Sequence, residues 1–232
     1  GPPRFPSVNL LLFLLRDWHW TGNQAAREMV MTTLYAMARG GIRDHIGDGF
    51  HRYATDTRWN IPHFEKMLYD QALHARIYTH AYQITGNGYL RRMAVSCLRY
   101  MTTTLRQPGG GFASAEDADS RDGEGAFYLW KSEELNALLS PAESALARDI
   151  WNIREKGNLP AGTGIPPGSS IPAESPRRAG EPDAGDDRED SPQVRAVREN
   201  LFRIREKRPR PALDDKILSD WNGLAIESLA TT

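Results

Sequence analysis

The side chains best suited to chemistry are concentrated between residues 40 and 70. This stretch reads GGIRDHIGDGFHRYATDTRWNIPHFEKMLYD and holds three of the six histidines of the 232-residue chain. A histidine beside a carboxylate is suited to general acid–base catalysis because imidazole titrates near neutral pH, so His51 and His63 are candidate catalytic residues. Alternatively, Phe50, Tyr53 and Trp59 simply pack the loop, with arginines and aspartates paired around them. Candidate substrate-binding residues in the stretch are Asp44, Arg52, Tyr53, Trp59, Glu65, Lys66 and Asp70.

The motif H-x-E at His63 and Glu65 is a separate case. It opens the signature of zinc deaminases, whose second half, P-C-x-x-C, needs two cysteines. The chain has a single cysteine, so the zinc interpretation is rejected. The proline at position 62 suits the first turn of a helix, which would place His63, Lys66 and Asp70 on one face. That face is either a plain surface with a Lys66–Asp70 ion pair or a wall of a polar binding site.

Residues 116–124, EDADSRDGE, form a short acidic segment. Counted from Asp117, a calcium-binding EF-hand loop needs an acid at its fifth position and glycine at its sixth, but arginine and aspartate stand there. The calcium interpretation therefore fails. Asp117 and Asp119 remain candidate catalytic carboxylates, because paired carboxylates flank the sugar in glycoside-processing sites. A solvated acidic turn is the alternative.

The last cluster comprises DDK at 214–216 and WNG at 221–223. Trp221 could stack on a sugar ring, and Asp215 and Asn222 could bind its hydroxyls. Alternatively, Trp221 belongs to the core and Asn222 is a helix cap. The basic run RIREKRPR at 203–210 matches no nucleic-acid motif, and the phosphate-binding glycine motifs of nucleotide-binding proteins are absent.

Composition excludes several classes of protein. The net charge is −1, and the longest apolar run has six residues, whereas a transmembrane helix needs about 20. A single cysteine rules out a disulfide framework, a cysteine-based zinc site and an intrachain C-x-x-C centre. We therefore predict no metal, no cofactor, no nucleic-acid partner and no membrane association, and we expect a cytoplasmic protein.

The elements that must position these residues are mostly helical. Apolar spacing and caps predict helices at residues 8–18, 23–39, 62–84, 89–105, 141–153 and 193–207, and from 220 onward. Residues 107–130 predict a small β-hairpin excursion. Thirteen of the 36 residues at 157–192 are glycine or proline, which predicts a flexible acidic loop inside the domain.

Three segments resemble a known family when taken in order. They are GGIRDHIGDGFHRYATDTRWNIPHFEKMLYDQA, GGFASAEDADSRDGEGAFYLW and REKRPRPALDDKILSDWNGLAI. Together they resemble the YyaL and spermatogenesis-associated-protein type of thioredoxin-domain-containing proteins, and the resemblance covers nearly the whole chain except residues 157–192. Members of this family place an N-terminal thioredoxin-like domain before an (α/α)6 toroid of helical hairpins, similar to the toroids of N-acylglucosamine 2-epimerase and related glycosidases.

The resemblance implies an all-α fold in which residues 1–232 form a partial (α/α)6 toroid with a small β-hairpin excursion. The thioredoxin-like domain and the C-terminal half of the ring would lie outside this chain. The candidate residues would then converge on one central cleft that takes a sugar-like ligand. The implied function is a carbohydrate-active domain, a sugar epimerase or isomerase or a glycoside-processing enzyme. The alternative is a non-catalytic, ligand-binding or regulatory partner of the thioredoxin-like redox domain.

Overall fold

A computed structural model describes residues 2–160, 162–175 and 187–232. Within these residues the fold is mostly helical, and nine two-residue strands form small antiparallel sheets between the helices. The expectation of an all-α chain is thus correct for the helices but lacks these small sheets. The helices are α1 Val8–Thr21, α2 Gln24–Arg39, α3 Leu68–Thr85, α4 Gly88–Tyr100, α5 Ser132–Leu138, α6 Pro141–Ile150, α7 Pro192–Arg205 and α8 Ser219–Thr231. A π-helix, Met101–Leu105, continues α4, and a 3-10 helix, Asp187–Asp190, precedes α7.

Local signals account for most helix ends. The side chain of Asn23 accepts hydrogen bonds from the backbone N–H groups of the first turn of α2, and Asn87 does the same for α4. Ser140 and Glu143 form a reciprocal capping box at the start of α6. These side chains satisfy N–H groups that have no partner inside a helix. A two-residue link between α3 and α4, with Gly86 at a φ of 68°, makes that pair a helical hairpin.

The helix predicted from residue 62 begins only at Leu68. Residues 62–67 instead supply strands β2 and β3. The prediction was wrong there because β2 pairs with β1 across a loop and β3 pairs with the distant β4, alternatives that helix-start signals cannot reveal. The strands are β1 Tyr53–Ala54, β2 Pro62–His63, β3 Lys66–Met67, β4 Ala115–Glu116, β5 Asp119–Ser120, β6 Gly123–Glu124, β7 Trp130–Lys131, β8 Ser169–Ser170 and β9 Leu213–Asp214.

The strands bring three distant segments together. β4 lies between β3 and β9, with Lys66 opposite Glu116 and Ala115 opposite Asp214. β1 pairs with β2, and β5 pairs with β6 as the predicted β-hairpin. The three polar segments singled out in the sequence are therefore hydrogen-bonded neighbours.

The largest apolar core lies among α1, α2, α3 and α4, and α5, α6 and α7 pack around a second core. Trp59 is buried against the end of α2. Its carbonyl oxygen lies 2.2 Å from where a Cβ on Gly40 would be, so only glycine permits this approach.

The first part of the predicted loop at 157–192 contributes to the packing. Ile171 and Ala173 are buried, and β8 pairs with β7. The Asn158 side chain holds the backbone of Ile171 through hydrogen bonds of 3.0 Å and 2.7 Å. A few apolar residues and one amide thus anchor a segment poor in apolar side chains. The predicted loop also includes residues 161 and 176–186, which lie outside the described residues.

None of the helices in the described ranges is long and apolar enough to cross a membrane.

Candidate functional site

The first polar group lies in the interior and consists of Asp44, Lys66, Glu116 and Arg205, here called the buried ion cluster. The Asp44 carboxylate accepts hydrogen bonds from Lys66 Nζ at 2.7 Å and from Arg205 at 2.8 Å. The side chains of these three residues are each 3% exposed or less. Such a network is stable only when every charge has a partner.

Glu116 completes the buried ion cluster from strand β4. Its carboxylate accepts hydrogen bonds from the hydroxyls of Tyr100 at 2.9 Å and Tyr128 at 3.0 Å, and from Arg210 at 2.6 Å. The Lys66 ammonium lies 4.4 Å from the centre of the Tyr100 ring, a favourable cation–π position. The cluster therefore joins β3, β4, α4 and α7 through charged and aromatic groups.

Protonation in the interior follows from these neighbours. Burial favours a neutral Asp44, but the charges of Arg205 and Lys66 outweigh it and hold the pKa of that carboxyl well below its usual range. Burial, and next the charge of Lys66, lowers the pKa of His51 to about 3. His51 is thus neutral, and its Nδ1 lies 2.9 Å from the Phe64 carbonyl oxygen, which fixes that nitrogen as the N–H donor.

The second polar group is exposed to solvent and consists of Arg52, His63, Glu65, Tyr69 and Glu124, here called the surface network. His63 lies between two carboxylates, with Nδ1 at 2.8 Å from Glu124 and Nε2 at 3.8 Å from Glu65. Arg52 donates to Glu65 at 2.9 Å and to the Tyr69 hydroxyl at 3.2 Å. Strands β1, β2 and β6 and the start of α3 position these groups.

Aromatic rings stand at both ends of the surface network. Tyr53 is stacked on His63, with ring centres 4.9 Å apart, and Phe5 packs against Tyr53. At the other end the Trp221 ring meets Tyr69 edge-on at 4.8 Å. The network is therefore a strip of polar groups between aromatic side chains.

Asp70 is a buried carboxyl next to the surface network. Its Oδ2 has no hydrogen-bond partner in the described part of the chain. Burial raises the pKa of Asp70 to about 8, against the opposing charge of Arg52. A carboxyl in this state is protonated at neutral pH and can donate a hydrogen bond or a proton.

The relatives of this chain are identified by sequence. No family model matches the chain. It is 39% identical over 256 aligned positions to spermatogenesis-associated protein 20 of Mus musculus and 38% identical to that of Homo sapiens, in each case over 99% of its own length. It is 33% identical to an uncharacterized Caenorhabditis elegans protein. This chain is homologous to a portion of spermatogenesis-associated protein 20. It spans about a third of the length of these relatives.

Homology to spermatogenesis-associated protein 20 specifies no reaction, because the name states no substrate. The placement of the candidate residues indicates which reactions the chain could support. The surface network and its immediate surroundings bring together Arg52, Tyr53, His63, Glu65, Asp70 and Trp221. The interior brings together Asp44, His51 and Lys66.

The other candidates lie apart from these groups or support the fold. Trp59 is 2% exposed and packs in the largest core. Asp117 and Asp119 are exposed around the hairpin that carries Glu124, and Asp215 is exposed beside β9. The Asn222 amide holds the backbone of Phe112 by two hydrogen bonds of 2.8 Å and 3.0 Å. Asn222 is thus occupied in joining α8 to the loop before β4.

His63, Lys66 and Asp70 do not share the predicted helix face, since α3 starts after Lys66. Lys66 pairs with Asp44 rather than with Asp70, because the strand conformation of β3 directs its side chain into the core.

Sequence reasoning missed five participants, Tyr69, Glu116, Glu124, Arg205 and Arg210. Arg205 carried a usable signal, because it follows Leu201 by one helical turn on the buried stripe of α7. A charge on an apolar stripe points to a buried partner. Glu116 and Glu124 carried no such signal, because only strand pairing decides that one is buried and the other exposed.

Proposed function

We propose that the surface network is the ligand-contacting part of a carbohydrate-active domain that isomerises, epimerises or otherwise processes a sugar. The observation that carries this proposal is a histidine held between two carboxylates and bordered by aromatic rings. Aromatic faces offer apolar area with a polar edge, which suits the C–H face of a sugar. Carboxylates and arginine offer hydrogen bonds to its hydroxyls.

The residues divide into two kinds of role. His63 is the proposed proton-transfer group, oriented by Glu65 and Glu124, and Tyr53 and Trp221 flank the ligand. Asp70, which is held neutral, is the proposed acid. The exposed candidate carboxylates Asp117, Asp119 and Asp215 would bind hydroxyls at the edge of the site. The Asn222 amide is occupied by the backbone of Phe112 and takes no part.

The interior candidates support the site indirectly. His51 is a buried positioning residue, because its bond to the Phe64 carbonyl oxygen holds the segment between His63 and Glu65. Asp44 and Lys66 anchor β3, and Trp59 packs the loop beside it. In this proposal none of the four touches the sugar.

The architecture proposed for the whole protein is an (α/α)6 toroid beside a thioredoxin-like domain. The hairpin formed by α3 and α4, and the packing of α8 and α1 against α3, are the kind of contacts such a ring repeats. Further hairpins and the thioredoxin-like partner would belong to the parts of the relatives that this chain does not span.

The experiment uses purified full-length protein and a panel of monosaccharides and disaccharides, assayed for epimerisation, isomerisation and hydrolysis. His63→Ala should lower turnover by about 100-fold, the usual contribution of a general acid–base group. His19→Ala, which removes a histidine of α1 outside the network, should leave it unchanged. Absence of any sugar turnover or binding, with thiol–disulfide activity retained, would refute the proposal in favour of a regulatory partner of a redox domain.

A further inference from the structure

An arginine-rich cavity lies between α4 and α7, away from the surface network. Its volume is about 220 Å³, and among the described residues six arginines and three carboxylates line it. Arg91 and Arg99 come from α4, and Arg195 and Arg198 come from α7. Arg195 and Arg198 are three residues apart and so lie on one face of α7, whereas Arg91 and Arg99 are about two turns apart on α4. Two helices therefore face each other with positive charge on both walls.

Asp48 lines this cavity and is fixed there by hydrogen bonds. Its carboxylate accepts hydrogen bonds from Ser96 at 2.8 Å, from Arg198 at 3.1 Å and from Arg99 at 3.2 Å. Its carbonyl oxygen accepts a further bond from Lys66 at 2.9 Å. Asp48 has a φ of 70°, a conformation that non-glycine residues seldom adopt. One buried carboxylate thus holds a guanidinium of each wall in a defined position.

Arg91 and Arg195 line the cavity without a carboxylate partner among the described residues. Both are exposed at the cavity, and neither has an ion pair or side-chain hydrogen bond within residues 2–160, 162–175 and 187–232. Each guanidinium has five N–H donors, and the two belong to a cavity lining in which six arginines outnumber three carboxylates. Like charges on facing walls repel, and a concave basic site concentrates anions.

We infer that this cavity is a binding site for a compact phosphate-bearing small molecule, held by Arg91 and Arg195. The planar fork of a guanidinium matches two phosphate oxygens at once. Arg99 and Arg198 stay hydrogen-bonded to Asp48 and add positive charge to the two walls of the cavity. The volume fits a group the size of phosphate or pyrophosphate better than the drug-sized ligands of larger pockets.

The test measures binding of pyrophosphate to full-length protein by calorimetry at 0.1 M salt. The double variant Arg91→Ala/Arg195→Ala should bind at least about 100-fold more weakly, because it removes two charge-assisted contacts that are each worth about tenfold or more. The matched control Arg121→Ala/Arg203→Ala removes two exposed arginines outside the cavity and should bind as the unaltered protein does. Arg91→Lys/Arg195→Lys should give an intermediate affinity, since lysine keeps the charge but loses the fork.

Circular dichroism and thermal unfolding confirm that each variant is folded. The inference is overturned if the unaltered protein does not bind pyrophosphate at millimolar concentration. It is also overturned if Arg91→Ala/Arg195→Ala and its control Arg121→Ala/Arg203→Ala lose affinity equally. Citrate serves as a second probe, since it carries comparable charge on carboxylates. Equal or tighter binding of citrate would overturn the assignment to phosphate.

Discussion

The buried ion cluster and the surface network are built from the same types of group at nearly the same distances. Lys66 meets Asp44 at 2.7 Å, and Arg52 meets Glu65 at 2.9 Å. The difference lies in their surroundings. The side chains of the first pair are at most 3% exposed, whereas those of Arg52 and Glu65 are 38% and 23% exposed. Bond length alone therefore does not separate a structural ion pair from a reactive one.

The surroundings change what each pair can do. In the interior, loss of one partner leaves an unpaired buried charge, which is strongly unfavourable. At the surface, water replaces a lost partner, so the same bond contributes little to stability and its groups remain free to bind a ligand. The comparison separates residues that stabilise the fold from residues that the proposed function assigns to ligand contact.

The largest expected effect comes from Arg205→Met, which leaves Asp44 with one of its two cationic partners in the interior. Loss of one partner of a buried pair costs about 3–5 kcal/mol of the free energy of unfolding. Urea denaturation of the variant should show that loss as a lower midpoint with an unchanged slope. A loss below about 1 kcal/mol would place the buried cluster in the same class as the surface pairs.

The next effect concerns pH and Asp70, which is buried beside the surface network. The folded carboxyl has a pKa of about 8, against 3.8 for an ordinary aspartate. The unfolded state therefore loses its proton first, and stability falls as pH rises between these values. Asp70→Asn removes this dependence and should gain on the order of 3 kcal/mol relative to the unaltered protein from pH 5 to pH 8.

Denaturant unfolding at several pH values checks this gain. Asp117→Asn is the control, since that carboxylate is exposed. A stability difference between Asp70→Asn and the unaltered protein that stays constant with pH would show that Asp70 is ionised in the folded state.

A smaller effect on stability is expected for Arg52→Met, the surface counterpart of Arg205→Met. Because the Arg52–Glu65 pair is partly exposed, the free energy of unfolding should change by less than about 1 kcal/mol. Sugar binding should nevertheless weaken by about tenfold, the loss of one charge-assisted contact. The opposite pattern, a large stability loss with intact binding, would mean that the surface network is structural.

The smallest expected effect is the coupling between Arg52 and Glu65. A double-mutant cycle with Arg52→Met and Glu65→Gln should give about 0.5 kcal/mol at low salt. Raising the salt to 1 M shortens the screening length to about 3 Å and should remove most of that coupling. A coupling that persists in 1 M salt would indicate that the pair is shielded from solvent.

Sequence reasoning succeeded where the controlling interactions are local. The caps Asn23, Asn87 and Ser140 lie within three residues of the N–H groups they satisfy, so their helices could be predicted from short windows. It failed for residues 62–67, whose strand partners lie near residues 53 and 115. A strand of two residues is too short to leave a periodic trace in the sequence, whatever the position of its partner.

The sequence by itself determined which groups were available, namely the histidines, carboxylates, arginines and aromatic rings of residues 40–70 and 116–124. It also determined most of the helices that surround them, because helix formation depends on neighbours along the chain. Only the tertiary structure decided which groups faced inward. Asp44 and Glu65 are both acids in loops, but α7 covers one with Arg205 while water reaches the other. That difference in solvation, rather than residue type, separates the carboxylate that holds the fold from the one that is free to act.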